Sequence, residues 1–272
     1  MTGITDTQSQ EGIETASGAA RIVHSITSRV RIVGPLIPFA LLFVALSIAS
    51  GPFFTSVNLL NILDQQSSIL IIAVAGTLVL ISGGIDLSVG AIYGLASVVS
   101  AEIALSQPPA VAVLVGVLVG LLAGLVNGVV ATLLRINPLI ATLAMSFVLA
   151  GAANLVTKGN LVVLSGKPDF GALALTDFLG VRTSIWIMLI VVIIVGVLLS
   201  RTSVGRYFYA VGGNREAARL SGIRVNGIRI LAFVLSGGAA ALGGIIDTSR
   251  VLSAQATSEQ TLTFTVLAGI VV

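Results

Sequence analysis

The sequence predicts an all-α fold: a polytopic transmembrane helical bundle of about seven complete helices and a partial eighth, with one short helix on the cytoplasmic side. Three observations predict it. First, of 272 residues 56% are hydrophobic and only 9% charged, whereas soluble domains carry ~25% charged residues. So few charges cannot cover a water-exposed surface of this size. This excludes an ordinary globular enzyme, a disordered chain and a nucleic-acid binder. Second, the charges leave long free intervals at 32–63, 65–85, 87–101, 103–134, 136–157, 183–200 and 230–246. A hydrocarbon core of ~30 Å takes ~20 helical residues, and continuous apolar runs suit helices rather than alternating barrel strands. Third, the basic residues segregate. With the N-terminus inside, Arg21, Arg29, Arg31, Arg135, Arg201, Arg206, Arg215, Arg219, Arg224 and Arg229 all fall inside, ten of the fourteen Lys and Arg. Lys158, Lys167, Arg182 and Arg250 fall outside.

The elements follow in order. Residues 1–31 are polar and basic, and read as a disordered cytoplasmic tail whose lone His24 is solvated. Residues 32–272 read as one membrane domain. A first helix at 34–50 reads as an uncleaved span rather than a leader, because a 33-residue leader and six following spans both favour that. Helices follow at 66–82, 88–105, 110–134, 138–157, 184–200 and 230–247, and an eighth begins near Leu262. It is cut off by the end of the chain, so the reading has C-terminal helices missing.

Four segments carry further information. In ISGGIDLSVG, Gly83-Gly84 interrupt an apolar run and Asp86 is followed by Ser88. A carboxylate at this depth is expensive and needs partners. Asp86 is read either as the N-cap of the third helix or as part of a broken helix lining a pathway. In the fourth helix Gly116, Gly120, Gly124 and Gly128 form one nearly flat stripe that admits a second backbone closely. Asn127 beside it either bonds across helices or faces a transport path. Asn137-Pro138 is a helix start that needs no function. Glu102 reads as a rim residue, Trp186 as an interface anchor, and SGKPDFG in the loop 158–183 as an exposed turn or docking surface.

The segment 201–229 holds six Arg and one Glu. Gly212-Gly213 read as a flexible turn, Asn214 as a cap, REAARLS as a short helix and Gly222 as its left-handed end. A helix this short is unstable alone, so it must dock, most economically against a cytosolic protein. No P-loop, HExxH or GxSxG motif is present, which leaves no ATP site, no metal site and no catalytic residue on the chain. No carboxylate or histidine chain crosses the spans, which argues against a proton-driven carrier. A cysteine count of zero removes disulfides and thiolate sites.

GGIDLSVG at 83–90, RINPLIATLAM at 135–145 with Asn127-Gly128 before it, and GRYFYAVGGNREAARLSGIRV at 205–225 resemble the permease subunits of bacterial ATP-binding cassette importers for sugars, the ribose/xylose/galactose type. The resemblance covers roughly 34–260. It implies a protein of the bacterial inner membrane that translocates a monosaccharide or small polyol by alternating access and is not itself an enzyme. ATP and Mg would sit on a cytosolic ATPase partner, with no cofactor on this chain. A periplasmic sugar-binding protein and a second permease copy would be the other partners, besides the bilayer. The loop 201–229 would be the coupling element, with Gly213, Asn214, Arg215, Glu216, Ala217 and Ala218 at the ATPase contact. Asp86, Ser88 and Asn127 would belong to the translocation path. SRVLSAQATSEQTLTF departs from the family pattern in lacking a Pro and a glycine stretch. The alternative is a stand-alone secondary carrier or channel for a small polar solute, which would need an ion-coupling site or polar pore of its own; a non-transporting membrane scaffold is the blandest reading.

Overall fold

A computed structural model describes residue 34 and residues 36–256 and 260–271. The tail 1–31 and His24 lie outside the described residues. Two compact units divide the chain, meeting at Leu59 and Leu60.

In the first unit, α1 (Leu36–Ala49) buries no residue. Its 14 residues rise about 21 Å at ~1.5 Å per residue, short of the ~30 Å hydrocarbon core. Among the described residues six helices are of membrane length, and this one is shorter. Phe43 meets Phe53 edge-on at 5.4 Å in the turn that follows. Thr55 caps the next helix, accepting from the Asn58 N–H at 3.3 Å.

That helix, α2 (Ser56–Ile81), starts ten residues before its expected start at 66 and continues through Asp64. The second unit holds the rest of it, with α3 (Val89–Ser106), α4 (Pro109–Leu133) and α5 (Pro138–Thr157). A short strand β1 (Val162–Val163) leads to α6 (Pro168–Leu175), then a tight hairpin of β2 (Asp177–Phe178) and β3 (Val181–Arg182). After α7 (Thr183–Arg201) come the short α8 (Ser203–Gly213) and α9 (Arg215–Leu220). Then α10 (Val225–Val251) runs the length of the bundle. Strand β4 (Ser253–Ala254) pairs antiparallel with β1, and α11 (Gln260–Val271) follows.

The core is built on α4 against α10, the largest helix–helix contact. The glycine stripe explains it. A Cβ at Gly116 would press on Ile245 at 2.8 Å, and one at Gly128 on the Ile230 Cα at 2.9 Å. Between them, Cβ atoms at Gly120 and Gly124 would collide with Ala241 and the Phe233 carbonyl. Four glycines one turn apart thus let two backbones touch along an antiparallel seam. Phe233, Ala240, Ile245 and Ile246 of α10 are fully buried, while Leu118, Leu122 and Leu125 on the other side of α4 are exposed as a lipid-facing surface.

Two expectations about loops change. SGKPDFG is an exposed turn only at Ser165-Gly166: Pro168 starts α6, whose Phe170 is buried. The Ser249 hydroxyl donates to the Phe170 carbonyl at 2.7 Å and accepts from the Ala174 N–H at 3.1 Å, tying α6 to α10. Gly212-Gly213 are not a flexible turn either, because they complete α8. Asn137 does cap α5, accepting from the Leu139 N–H at 3.0 Å.

Candidate functional site

The link between α2 and α3 is the irregular part of the core. Helix α2 unwinds at Gly83, whose φ of +78° is open to glycine without strain. The chain then runs through Gly84, Ile85 and Leu87 to α3 with Ser82, Asp86 and Ser88 all buried. The Asp86 carboxylate accepts from the Ser88 N–H at 3.0 Å and the Ser88 hydroxyl at 2.6 Å. Its other oxygen accepts from Ser236 of α10 at 3.1 Å. The Ser88 hydroxyl in turn accepts from Asn127 Nδ2 of α4 at 2.6 Å. Asp86, Ser88 and Asn127, singled out separately from sequence, therefore form one hydrogen-bonded chain, and the structure adds Ser236.

This geometry sets aside one reading of Asp86, as the N-cap of α3. The cap position of α3 is Ser88, with no side-chain cap bond; the Gly90 N–H is taken instead by Thr263 of α11 at 3.1 Å. Asp86 closes a turn onto Ser88 and bridges to α10. Non-helical backbone among membrane helices persists only where protein or a cavity satisfies it, and both are present here. Thr142 of α5 accepts from the Leu87 N–H at 2.9 Å. A cavity of about 350 Å³, otherwise apolar, is walled by Val79, Asp86, Leu139, Ser236 and Phe264. Asn127 likewise bonds across helices, and its buried Oδ1 has no partner among the described residues.

The segment 203–222 packs onto this link from one end. Thr202 starts α8, its hydroxyl accepting from the Gly205 N–H at 3.1 Å. Gly212 lies so close over the Ile81 carbonyl that any Cβ there would overlap it. Arg215 donates to the Gly83 carbonyl at 2.9 Å. Asn214 caps α9 twice, accepting from the Glu216 and Ala217 N–H groups at 3.0 Å each. At the other end the Ile223 N–H reaches the Ala218 carbonyl and the Gly222 N–H the Arg219 carbonyl, both at 3.0 Å. With Gly222 at φ +81°, this is the Schellman ending that glycine permits.

Of the six residues singled out on α9 and its start, five are exposed: Gly213, Asn214, Arg215, Glu216 and Ala217. Ala218 is buried and anchors the helix. Sequence reading missed Leu220, a large apolar side chain 76% exposed at the end of this helix. On the solvent face Arg219 bonds Glu216 at 2.6 Å. That hydrogen bond, and then the Arg219 charge, hold the Glu216 carboxyl below its usual range.

A second polar cluster, missed from sequence, sits toward the other end of α10. Arg250 pairs with Asp64 of α2 at 3.2 Å and with Asp247, one turn away on its own helix. Asp247 also accepts from Ser68 at 2.6 Å and from the Tyr93 hydroxyl at 2.8 Å. Ser184 of α7 bonds Asp64. In the sequence these charges read as span boundaries. Paired, they sit inside helices, so α2 and α10 run past the expected limits. The available signal was the Asp247–Arg250 spacing, which puts opposite charges on one helical face.

Similarity to known proteins agrees with this architecture. Residues 58–272 match the family model described as the permease component of the branched-chain amino acid transport system. The ribose import permease protein RbsC of Escherichia coli K12 is 40% identical over 227 residues, covering 82% of this chain and 71% of the relative. The L-arabinose transport system permease protein AraH of the same strain is 39% identical over 223 residues, 82% of this chain and 68% of the relative. A probable ABC transporter permease protein of Sinorhizobium fredii, y4mJ, is 32% identical over 217 residues, 79% of this chain and 65% of the relative. No solved structure matches. The family match spans the link, the glycine seam and the 203–222 segment together. With six helices of membrane length, the chain belongs to this permease family, as a multi-pass inner-membrane permease subunit of an ATP-binding cassette importer.

Proposed function

We propose that this permease imports a monosaccharide or similar small polyol, received from a periplasmic sugar-binding protein and released into the cytoplasm. The relatives named for ribose and arabinose support the sugar class over the amino acids of the family's description. Energy comes from ATP and Mg on a separate cytosolic ATPase, and a second permease copy completes the pathway. The N-terminus and the segment 201–229 face the cytoplasm, an orientation supported by the ten basic residues it collects there.

One observation carries the coupling part. The exposed helix α9 is wired to the buried link, through Gly212 on the Ile81 carbonyl and Arg215 on the Gly83 carbonyl. Asp86 lies three residues further along that link. A partner that pulls on α9 therefore pulls on the hinge between α2 and α3, and through Asp86 on α4 and α10. Packed helices with two discrete arrangements reorient as bodies when such an element moves, giving alternating access around Asp86, Ser88 and Asn127.

Glu216→Arg and Ala217→Trp change only exposed groups and test this. Both variants are expected to insert and fold normally. In proteoliposomes containing the ATPase and binding protein, ATP-dependent sugar uptake should fall about tenfold or more, the scale of losing an interface hot spot. Unchanged uptake sinks the coupling assignment. Uptake by the purified permease with no ATPase present overturns the ATP-driven reading.

A further inference from the structure

Helix α8 has two unlike faces. Gly205, Phe208 and Val211, three residues apart, are buried against the bundle, while Arg206, Tyr207 and Tyr209 are exposed. An amphipathic helix with tyrosines on its open face suits the plane of a membrane surface. Between α8 and the start of α10 lies a cleft of about 460 Å³, within the ~300–1,000 Å³ range of small-molecule sites. Val204, Ile223, Ile228 and Leu231 give it an apolar wall, and Tyr207 and Arg224 a polar one. We infer that this cleft holds an anionic phospholipid of the surrounding leaflet, with its phosphate on Arg224 and Tyr207 and its acyl chains along Ile228 and Leu231.

Depth is the first support. The 27 residues of α10 rise about 40 Å at ~1.5 Å each, roughly 10 Å more than the hydrocarbon core. Centred on the bilayer, α10 leaves Arg224 in the headgroup layer. Leu231 lies about 10 Å further along the axis and so reaches the hydrocarbon. A cytosolic protein would have to enter the headgroup layer to fill such a cleft, whereas a lipid is already there.

Charge is the second. The segment 201–229 holds six Arg against one Glu, and that Glu216 is taken by Arg219. Arg224 is exposed and makes no hydrogen bond or ion pair among the described residues, and the Tyr207 hydroxyl is equally free. The positive-inside rule asks for charge on this side. It does not ask for a guanidinium in the wall of an apolar cleft that a phenol also lines. A guanidinium pairs with phosphate through two parallel N–H bonds, and its stem packs along apolar surface. A neutral lipid leaves that charge unmatched, and inorganic phosphate leaves the apolar wall unmatched. An anionic phospholipid matches both walls, whichever solute is imported.

The full chain in a neutral detergent is to be titrated with dioleoyl phosphatidylglycerol, dioleoyl phosphatidylcholine or inorganic phosphate. The unfolding midpoint and the native mass spectrum are read together. A ligand that binds only the folded state raises the midpoint in a saturable way. Phosphatidylglycerol is expected to do so and to appear bound in the spectrum; the other two, at equal concentration, are not. Arg224→Gln and Tyr207→Phe change only exposed groups and should fold. The first should raise the half-saturating phosphatidylglycerol concentration roughly tenfold, the worth of a charge-assisted hydrogen bond, and the second roughly fivefold. Arg206→Gln removes the same charge from outside the cleft and should leave that concentration where it is. An unshifted midpoint overturns the lipid site. So does an equal response to phosphatidylcholine, to inorganic phosphate, or to the Arg206 and Arg224 variants, since these would mean apolar filling, a free anion or diffuse attraction. If Arg224→Gln keeps the lipid response but blocks co-purification with the ATPase, or changes the number of permease copies in the spectrum, the cleft belongs to the ATPase or to a second copy and the lipid site fails. Sugar uptake by the reconstituted complex is scored separately, so a failed lipid site leaves the import reading standing, and the converse holds.

Discussion

Gly124 marks how finely single residues set the seam. A Cβ there would strike the Phe233 carbonyl, which is backbone and cannot rotate away. Gly124→Ala must part α4 from α10 and should destabilise the fold by about 1–3 kcal/mol, as overpacking does. Gly151 in α5 is the control, with open space around its Cα. Gly151→Ala should be neutral or stabilise by about 0.5–1 kcal/mol, since alanine loses less backbone freedom in a helix. Unfolding midpoints in one detergent should therefore separate two identical substitutions in opposite directions. Equal shifts would mean that the stripe does not set the approach. Asp86 poses the polar version. Asp86→Asn keeps an acceptor oxygen for the Ser88 N–H, whereas Asp86→Ala leaves that buried donor unpaired, at about 1–3 kcal/mol. Stability should fall in the order parent, Asn, Ala, read as the same midpoints; an alanine variant as stable as the parent would show that the hydrogen-bonded chain contributes nothing.

Among the elements, α9 depends most on its ends. It has six residues, too few to hold a helix by propensity, so its caps and the buried Ala218 carry it. Asn214→Ala removes the acceptor for two N–H groups and should cost about 1 kcal/mol, enough to fray a helix this short. Asn214→Asp preserves the cap and adds a charge favourable at a helix N-terminus. Sugar uptake by the reconstituted transporter should thus drop in the alanine variant and recover in the aspartate one; failure of both alike would point to the amide itself as a partner contact. The Glu216–Arg219 pair adds little, because both groups are exposed and surface pairs are weak. Glu216 has its carboxyl lowered on folding. Whatever the pair contributes is present above the ordinary carboxylate range and lost as pH falls through the lowered value. The short helix, its cap and its glycine ending were all legible in sequence, because each rests on local chemistry within a few residues. The role of Gly212 was not. It looked like a hinge by residue type, and only the Ile81 carbonyl, 131 positions away in the chain, shows that it is a contact. The bounds of α2 and α10 failed for the same reason. Asp64 and Arg250 look like span limits until their pairing across the bundle is known.

At the scale of the whole second unit, α10 is the common member. Its 27 residues rise about 40 Å at ~1.5 Å each and carry three polar stations: Arg229 near one end, Ser236 on Asp86 partway along, and Asp247 with Arg250 at the other end. If α9 takes up the ATPase stroke, solute must enter at the opposite end of α10. The helix order sets the two ends apart: α10 leaves the α9 side at Val225 and reaches Asp247 after one crossing. The residue count on each side is what supports calling the α9 side cytoplasmic, and that assignment is open to a direct check. The chain has no cysteine, so single introduced thiols can be labelled without background. Ser221 and Gly166 are both exposed and lie on the two opposed sides. In spheroplasts, a membrane-impermeant maleimide should label Gly166→Cys at once. Ser221→Cys should react only after the membrane is permeabilised. The reverse pattern would place the arginine-rich segment outside, where no cytosolic ATPase can reach α9, and would remove the mechanical path from Arg215 to Asp86 as a route for ATP-driven transport.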